Sequence, residues 1–357
     1  MIMTRRNALL SMCGMAAAGA TLVNGTGSAW SASRRIVWGT NDAYAQPKLL
    51  QPFSSSSSIN VETQLFSDPS EAVTKLRTGG AGIDLLMDGS YHSHITYEAG
   101  VLQPIDEASI PNFSSIIPEL RNANGLIFEG KRFGIPLGWG TDSVVYRGKE
   151  VGGEINDIGA LFDKQFAGRI GMPNGLFESL IVAALYLEIP DPFAMNADEL
   201  KAVVDLLRKQ KPMVRSYWND IGDLKNQMAT GEVIVAWGWA PVLDIRRDGI
   251  DIQWAHPKQG ELAWYDASFI TREAEGEALA DCQSFINYTL GDFYGVQLGK
   301  DVGYRTASDL AISNMDDELR KELGLDDAAA FLKNPLWWVA PKDPDAYQKA
   351  WESVLNS

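Results

Sequence analysis

Residues 260 to 270, GELAWYDASFI, place Asp266 two residues after Trp264 in a run otherwise suited to burial. On an extended chain side chains alternate between faces, so Trp264 and Asp266 share one face and Tyr265 takes the other. A carboxylate among buried neighbours needs a partner that offsets its lost hydration. An indole face attracts cations through its quadrupole, and a carboxylate pairs with ammonium groups by charge-assisted hydrogen bonds. Together they suit an organic cation with an apolar body.

The elements around this stretch read as alternating strands and helices. RIVWG and NVETQLF are strand-like, and the serine run Ser54 to Ser58 between them reads as a solvated loop. In PSEAVTKLRTGG, Val73 and Leu76 recur at helical spacing, and Gly79 and Gly80 stop the helix. IDLLM follows as a continuous apolar strand of the kind buried on both faces of a parallel sheet. The pattern recurs in RIGMP, GLFESLIVAALYLEI and NADELKAVVDLLRKQ, the last with Asn196 and Glu199 placed for a capping box. A further run of helix, strand, helix and strand spans IGDLKNQMATGEVIVAWGWAPVLDIRRDGIDIQW, and two helices follow in EALADCQSFINYTLGDFYGVQLG. No fixed-period repeat runs through the chain, and its 357 residues fit two α/β lobes.

Ligands in open parallel sheets bind beyond the carboxyl ends of strands. Those positions are Asn41 and Asp42, Tyr91, Glu178, Trp237 and Trp239, and Trp264 with Asp266. Acids and aromatics dominate them, and no arginine appears. One of Trp237 and Trp239 is expected to be core packing. Glu178 also fits the first turn of a helix, where the dipole favours an acid.

Catalytic patterns are absent from the sequence: there is no Gly-x-Ser-x-Gly elbow, HExxH helix or Walker-type loop, and the three histidines are His92, His94 and His256. In YHSHITY, a transition metal such as iron would need His92, His94, Tyr91 and Tyr97 to converge. Read as the start of a helix, that stretch sets residues two apart on different faces. No enzyme activity, cofactor or resident metal is expected.

MTRRNALLSMCGMAAAGATLV, followed by small residues around GSAWSAS, has the layout of an export signal of the twin-arginine type, with cleavage expected between Ala29 and Ser31. Met12 is too bulky before Cys13 for a lipid-attachment site. The mature chain would keep only Cys282 and so no internal disulfide, as expected of cargo folded in a reducing compartment before export. Losing Arg5 and Arg6 takes the formal charge from −15 to −17. Such a surface repels nucleic acid and anionic lipid and attracts cations.

In order and spacing, EAVTKLRTGGAGIDLLMDGSYH, VLQPIDEASIPNF, FGIPLGWGTDSVVYR, MATGEVIVAWGWA, AWYDASFI, FINYTL and GYRTAS resemble the periplasmic solute-binding proteins of ABC importers, within them the spermidine/putrescine-binding group. The likeness covers nearly the whole mature chain. It implies a two-lobed type II periplasmic-binding-protein fold of class α/β, with lobe 1 at 32–141 and 267–312, and lobe 2 at 142–266 and 313–357. It implies a monomeric receptor that hands a small cationic amine, putrescine-like or spermidine-like, to a permease in the inner membrane. In such binders the matching acid grips an ammonium group, so Asp266 would be partnered by ligand rather than by another side chain. Trp264 would lie along the methylene chain, Trp239 would be the second wall, Tyr91 would come from lobe 1, Glu178 from lobe 2, and Tyr304 from the GY motif. The pattern departs at two places. Gly175 stands where the group carries an acid, and Asn41 and Asp42 stand where it carries Trp followed by Ser or Thr. Asp42 is therefore expected to replace part of the missing charge. The same fold binding an amino acid, opine or aminophosphonate would need an arginine or a helix N-terminus for the anion, and ferric iron is the remaining alternative.

Overall fold

The strand Arg34–Thr40 buries its last five residues and is the centre of a parallel unit. It pairs in parallel with Ile59–Leu65 on one side and Leu85–Gly89 on the other. The computed structural model describes residues 34–66, 69–175, 177–326, 331–332 and 335–357. The segment read from the sequence as an export signal lies outside the described residues. Between the first two strands runs the helix Pro47–Ser57, which takes in most of the serine run expected to be loop. Leu49, Leu50 and Phe53 are buried on one side of it, and the hydroxyls of Ser56 and Ser57 donate back to the Phe53 carbonyl. Tertiary burial of three apolar residues thus carries the helix through residues whose hydroxyls compete for the backbone. It ends at Ser58, in left-handed conformation.

Among the described residues the main sheet runs Ile59–Leu65, Arg34–Thr40, Leu85–Gly89, Leu262–Ile270, Gly134–Arg147, Val235–Trp239, Ile170–Pro173, Val214–Trp218. Two strands join its halves. Leu262–Ile270 pairs antiparallel with Leu85–Gly89 and with the long strand Gly134–Arg147. The long strand pairs antiparallel with Val235–Trp239, which opens a second parallel unit with Ile170–Pro173 and Val214–Trp218.

Each half has its own apolar interior. The first includes Trp38, Phe53, Leu86, Trp139, Phe269 and Phe285. The second has one cluster around Ile170, Leu180, Leu207 and Trp237, and another around Trp218, Leu224 and Ala236. The helix Glu178–Tyr186 is buried nearly throughout, whereas Ala197–Gln210 is amphipathic and starts with the expected capping box from Asn196 and Glu199. Met315, Leu319 and Leu332 still pack in the first interior, while Tyr347 and Trp351 of the helix Pro344–Leu355 pack in the second. The chain therefore rejoins the second half after Leu332, later than the boundary at 313 read from the sequence. Met315 and Leu319 are what hold this segment back.

Candidate ligand-binding site

The two joining strands build a common surface. Residues directly opposite in an antiparallel pair project to the same face. Asp266 lies opposite Gly138, Trp264 opposite Gly140, and Leu262 opposite Asp142. Asp142 in turn lies opposite Trp239, and Asp266 lies opposite Gly89 on its other flank. One sheet face therefore presents Asp266, Trp264, Asp142 and Trp239, with glycines between them. The glycines leave space for rings. A β-carbon at Gly140 would fall 2.3 Å from the Trp264 indole, and one at Gly138 would fall 2.9 Å from the Tyr44 hydroxyl.

Above this face stands a chain of aromatic rings. Tyr44 and Tyr304 have centroids 5.5 Å apart, and Tyr304 meets Trp264 edge-on at 5.2 Å. The wall has an acid at each end. The Tyr44 hydroxyl donates to Asp266 Oδ2 at 2.7 Å, and Trp264 Nε1 donates to Asp142 Oδ1 at 2.9 Å. Beyond Asp142, Trp239 Nε1 donates to Glu178 Oε1 at 3.0 Å and its ring packs edge-on against Trp218. Tyr304 is placed by its neighbour Arg305, whose guanidinium lies 4.7 Å from the Trp139 ring and donates to the Leu323 carbonyl and to Thr141 Oγ1.

The electrostatics of the three acids are alike. Burial pushes Asp266 up to about 7, against the opposing hydrogen bond from Tyr44 and with further help from the Asp88 charge. Burial likewise raises Glu178 to about 7, opposed by the Trp239 donor. Asp142 is only 4% exposed and is raised well above the usual carboxylate range by burial first and by Glu178 second. Among the described residues none of these acids forms an ion pair with Lys or Arg. Each is held by a neutral donor, an arrangement that leaves its charge to be balanced from outside.

The sequence-derived residues fall into three groups. Asp266, Trp264, Trp239, Glu178 and Tyr304 come together along the aromatic wall. Asn41 and Tyr91 join Asp266 around a small cavity of about 50 Å³ that also touches Thr40 and Met87. Asp42 is exposed in the turn after the first strand, where its backbone carbonyl accepts from Gln46. Of the tryptophan pair, Trp237 is wholly buried in the second interior and Trp239 is half-buried. The expectation that Asp266 would have no side-chain partner is corrected by Tyr44, whose hydroxyl reaches it from a turn 222 residues away in sequence. Sequence reasoning missed Tyr44 and Asp142 as site residues. For Asp142 the signal was present, since GIPLGWGTDSVVYR is an apolar strand interrupted by an acid, the same feature that singled out Asp266.

The histidine cluster resolves into structural contacts. His92 Nδ1 lies 3.0 Å from the buried Asp88, which also accepts from Thr96. His94 is exposed beside Phe128, and Tyr97 stacks on the same ring at 4.0 Å. Among the described residues no group of three or more His, Cys, Asp or Glu is arranged to hold a metal ion. Nor is any described helix long and apolar enough to cross a membrane.

The model of bacterial extracellular solute-binding proteins matches residues 48–318, well over half of the chain. The chain belongs to this family. This solute-binding protein is a receptor of an ABC transporter and not an enzyme. It is 23% identical over 339 residues to the putrescine-binding periplasmic protein PotF of Escherichia coli K12, a match covering 88% of this chain and 89% of the relative. Its fold matches the spermidine/putrescine ABC transporter substrate-binding protein PotD of Streptococcus pneumoniae with a TM-score of 0.77 at 21% identity, over 91% of this chain and 98% of that one. It also matches MotA of A. tumefaciens B6, solved in complex with glucopine, with a TM-score of 0.71 at 18% identity, over 90% and 99% of the two chains. These structural likenesses establish the two-lobed α/β fold.

Proposed function

We propose that this receptor captures a small cationic amine of the putrescine or spermidine kind in the periplasm and passes it to an inner-membrane permease, acting as a monomer after export by the twin-arginine route. The observation that carries the reading is Asp266: a carboxylate lifted by burial to about 7, held by a neutral hydroxyl, at the end of an aromatic wall. An ammonium group supplies the missing countercharge, and the methylene chain covers the rings. Neutral solutes would leave desolvated acids uncompensated, which selects against them. Asn41 and Tyr91 flank the Asp266 end, and Trp239 closes the other. The names of curated relatives that bind putrescine, spermidine or agmatine support the same ligand class.

An opine or amino acid would require a cationic group for its carboxylate. The guanidinium next to Tyr304 in the chain, that of Arg305, is committed to Thr141, Leu323 and Trp139, which argues against that class. A thermal-shift panel of putrescine, spermidine, agmatine, glucopine and ferric citrate separates the readings, because a ligand bound only by the native state raises its melting temperature. The proposal predicts saturable stabilisation by at least one amine and none by glucopine or iron. Stabilisation by glucopine alone would refute it.

A further inference from the structure

The site has more anionic capacity than one ammonium group can use, and that capacity is unevenly placed. Asp266 stands at one end of the aromatic wall. Asp142 and Glu178 stand at the other, linked through Trp239, which lies opposite Asp142 in the sheet and donates to Glu178. Asp142 is four residues along the long strand from the position opposite Asp266, so the poles are separated by roughly 13 Å of extended backbone. Gly175 leaves the second pole without the acid expected three residues before Glu178, and a β-carbon there would meet only Glu178, at 3.5 Å. Asp142 supplies an acid to that pole from the long strand Gly134–Arg147.

We propose that Asp142 is a specificity residue that makes this receptor selective for an unsymmetrical triamine over a diamine. The inference rests on the cationic-amine reading above. The chemistry follows from charge and length. Asp142 and Glu178 both lie at this pole, on either side of Trp239, and the charge of Glu178 raises the cost of ionising Asp142, so without a cation the pair favours holding a proton. A diamine is too short to reach both poles, so its two ammonium groups engage the Asp266 end and leave Asp142 and Glu178 sharing their proton. A triamine with an aminopropyl end brings two cationic nitrogens, three carbons apart, to the paired acids. The retained proton then leaves for solvent and both carboxylates are paired. Length agrees: an extended chain advances about 1.2 Å per bond, so the terminal nitrogens of putrescine lie about 6 Å apart and those of spermidine about 11 Å. Only the longer chain approaches the separation of the poles.

Calorimetry of the mature protein with spermidine and putrescine tests this, run at pH 6.5 in two buffers of different ionisation enthalpy so that protons released are counted. The wild type should bind spermidine at least about tenfold more tightly than putrescine and release about one more proton with it. Asp142→Asn keeps an acceptor for Trp264 and removes the charge. It should weaken spermidine by about tenfold, leave putrescine within about twofold, and abolish the extra proton. Equal weakening of both ligands would assign Asp142 to support of Trp264 alone, and unchanged spermidine affinity would remove it from recognition; either overturns the proposal. Should the variant not fold, the wild-type proton count decides, and equal release with the two ligands overturns it. Wild-type protein that binds neither amine would refute the capture reading itself, and this inference with it.

Discussion

Asp266 and Tyr44 form the contact on which the proposed recognition turns. A carboxylate raised to about 7 is protonated in the folded protein at pH values where it is ionised in the unfolded chain, whose ordinary range lies near 4. The folded state therefore binds more protons than the unfolded state between about pH 4 and 7, and ligand-free stability should fall as pH rises through that window. Glu178, also raised to about 7, adds to the same slope. A bound cation favours the ionised acids and reverses the sign. Amine affinity should climb between pH 5 and 7, by about tenfold per unit for each proton displaced, and level off above 7, as calorimetric titrations at fixed ionic strength would show. An affinity that does not change with pH would contradict the raised acids. Tyr44→Phe removes the hydroxyl that favours the ionised form of Asp266. It should shift the pH profile upward and weaken binding at neutral pH by about 1 kcal/mol.

The strands Gly134–Arg147 and Leu262–Ile270 place Asp142, Trp264 and Asp266, and the glycines of the first strand are part of that placement. Gly140→Ala would set a methyl group 2.3 Å from the Trp264 ring, inside any permitted contact. The ring must shift, the hydrogen bond to Asp142 opens, and a stability loss of about 1 to 3 kcal/mol is expected in denaturant titration, together with weaker amine binding. A variant with wild-type stability and affinity would mean that Trp264 does not lie across Gly140. These strands also show what could be read from sequence. Alternation placed Trp264 and Asp266 on one face, and helical spacing with a capping pair placed Ala197–Gln210, because such features depend on neighbours along the chain. An acid inside an apolar strand was equally visible at Asp142, but its meaning depended on strand register, which brings it opposite Trp239. Tyr44 left no comparable mark, since a tyrosine in a turn is ordinary and its link to Asp266 exists only once the sheet has formed. The serine run misled for a related reason: its residues are indifferent to helix, and burial of Leu49, Leu50 and Phe53 decides the outcome.

Across the whole molecule, two separate apolar interiors are joined by a pair of strands that also carries Asp142, Trp264 and Asp266 of the candidate site. Ligand contacts that engage residues from both halves favour a closed arrangement over an open one by the free energy of those contacts. Saturating amine should therefore reduce the radius of gyration measured by small-angle X-ray scattering, and unchanged scattering with proven binding would argue against closure. The formal charge of −17 expected for the mature chain adds a long-range attraction for cations that should weaken with salt. In the proposed mode of capture a ligand ammonium supplies the countercharge of Asp266. Calorimetric titration of spermidine and putrescine into the wild type and Asp266→Asn at pH 7.5 addresses it. We predict one saturable site in the wild type for at least one of the amines and a loss of about a hundredfold or more in the variant, whose fold is checked by its melting curve. Equal affinity in the two proteins would contradict the account.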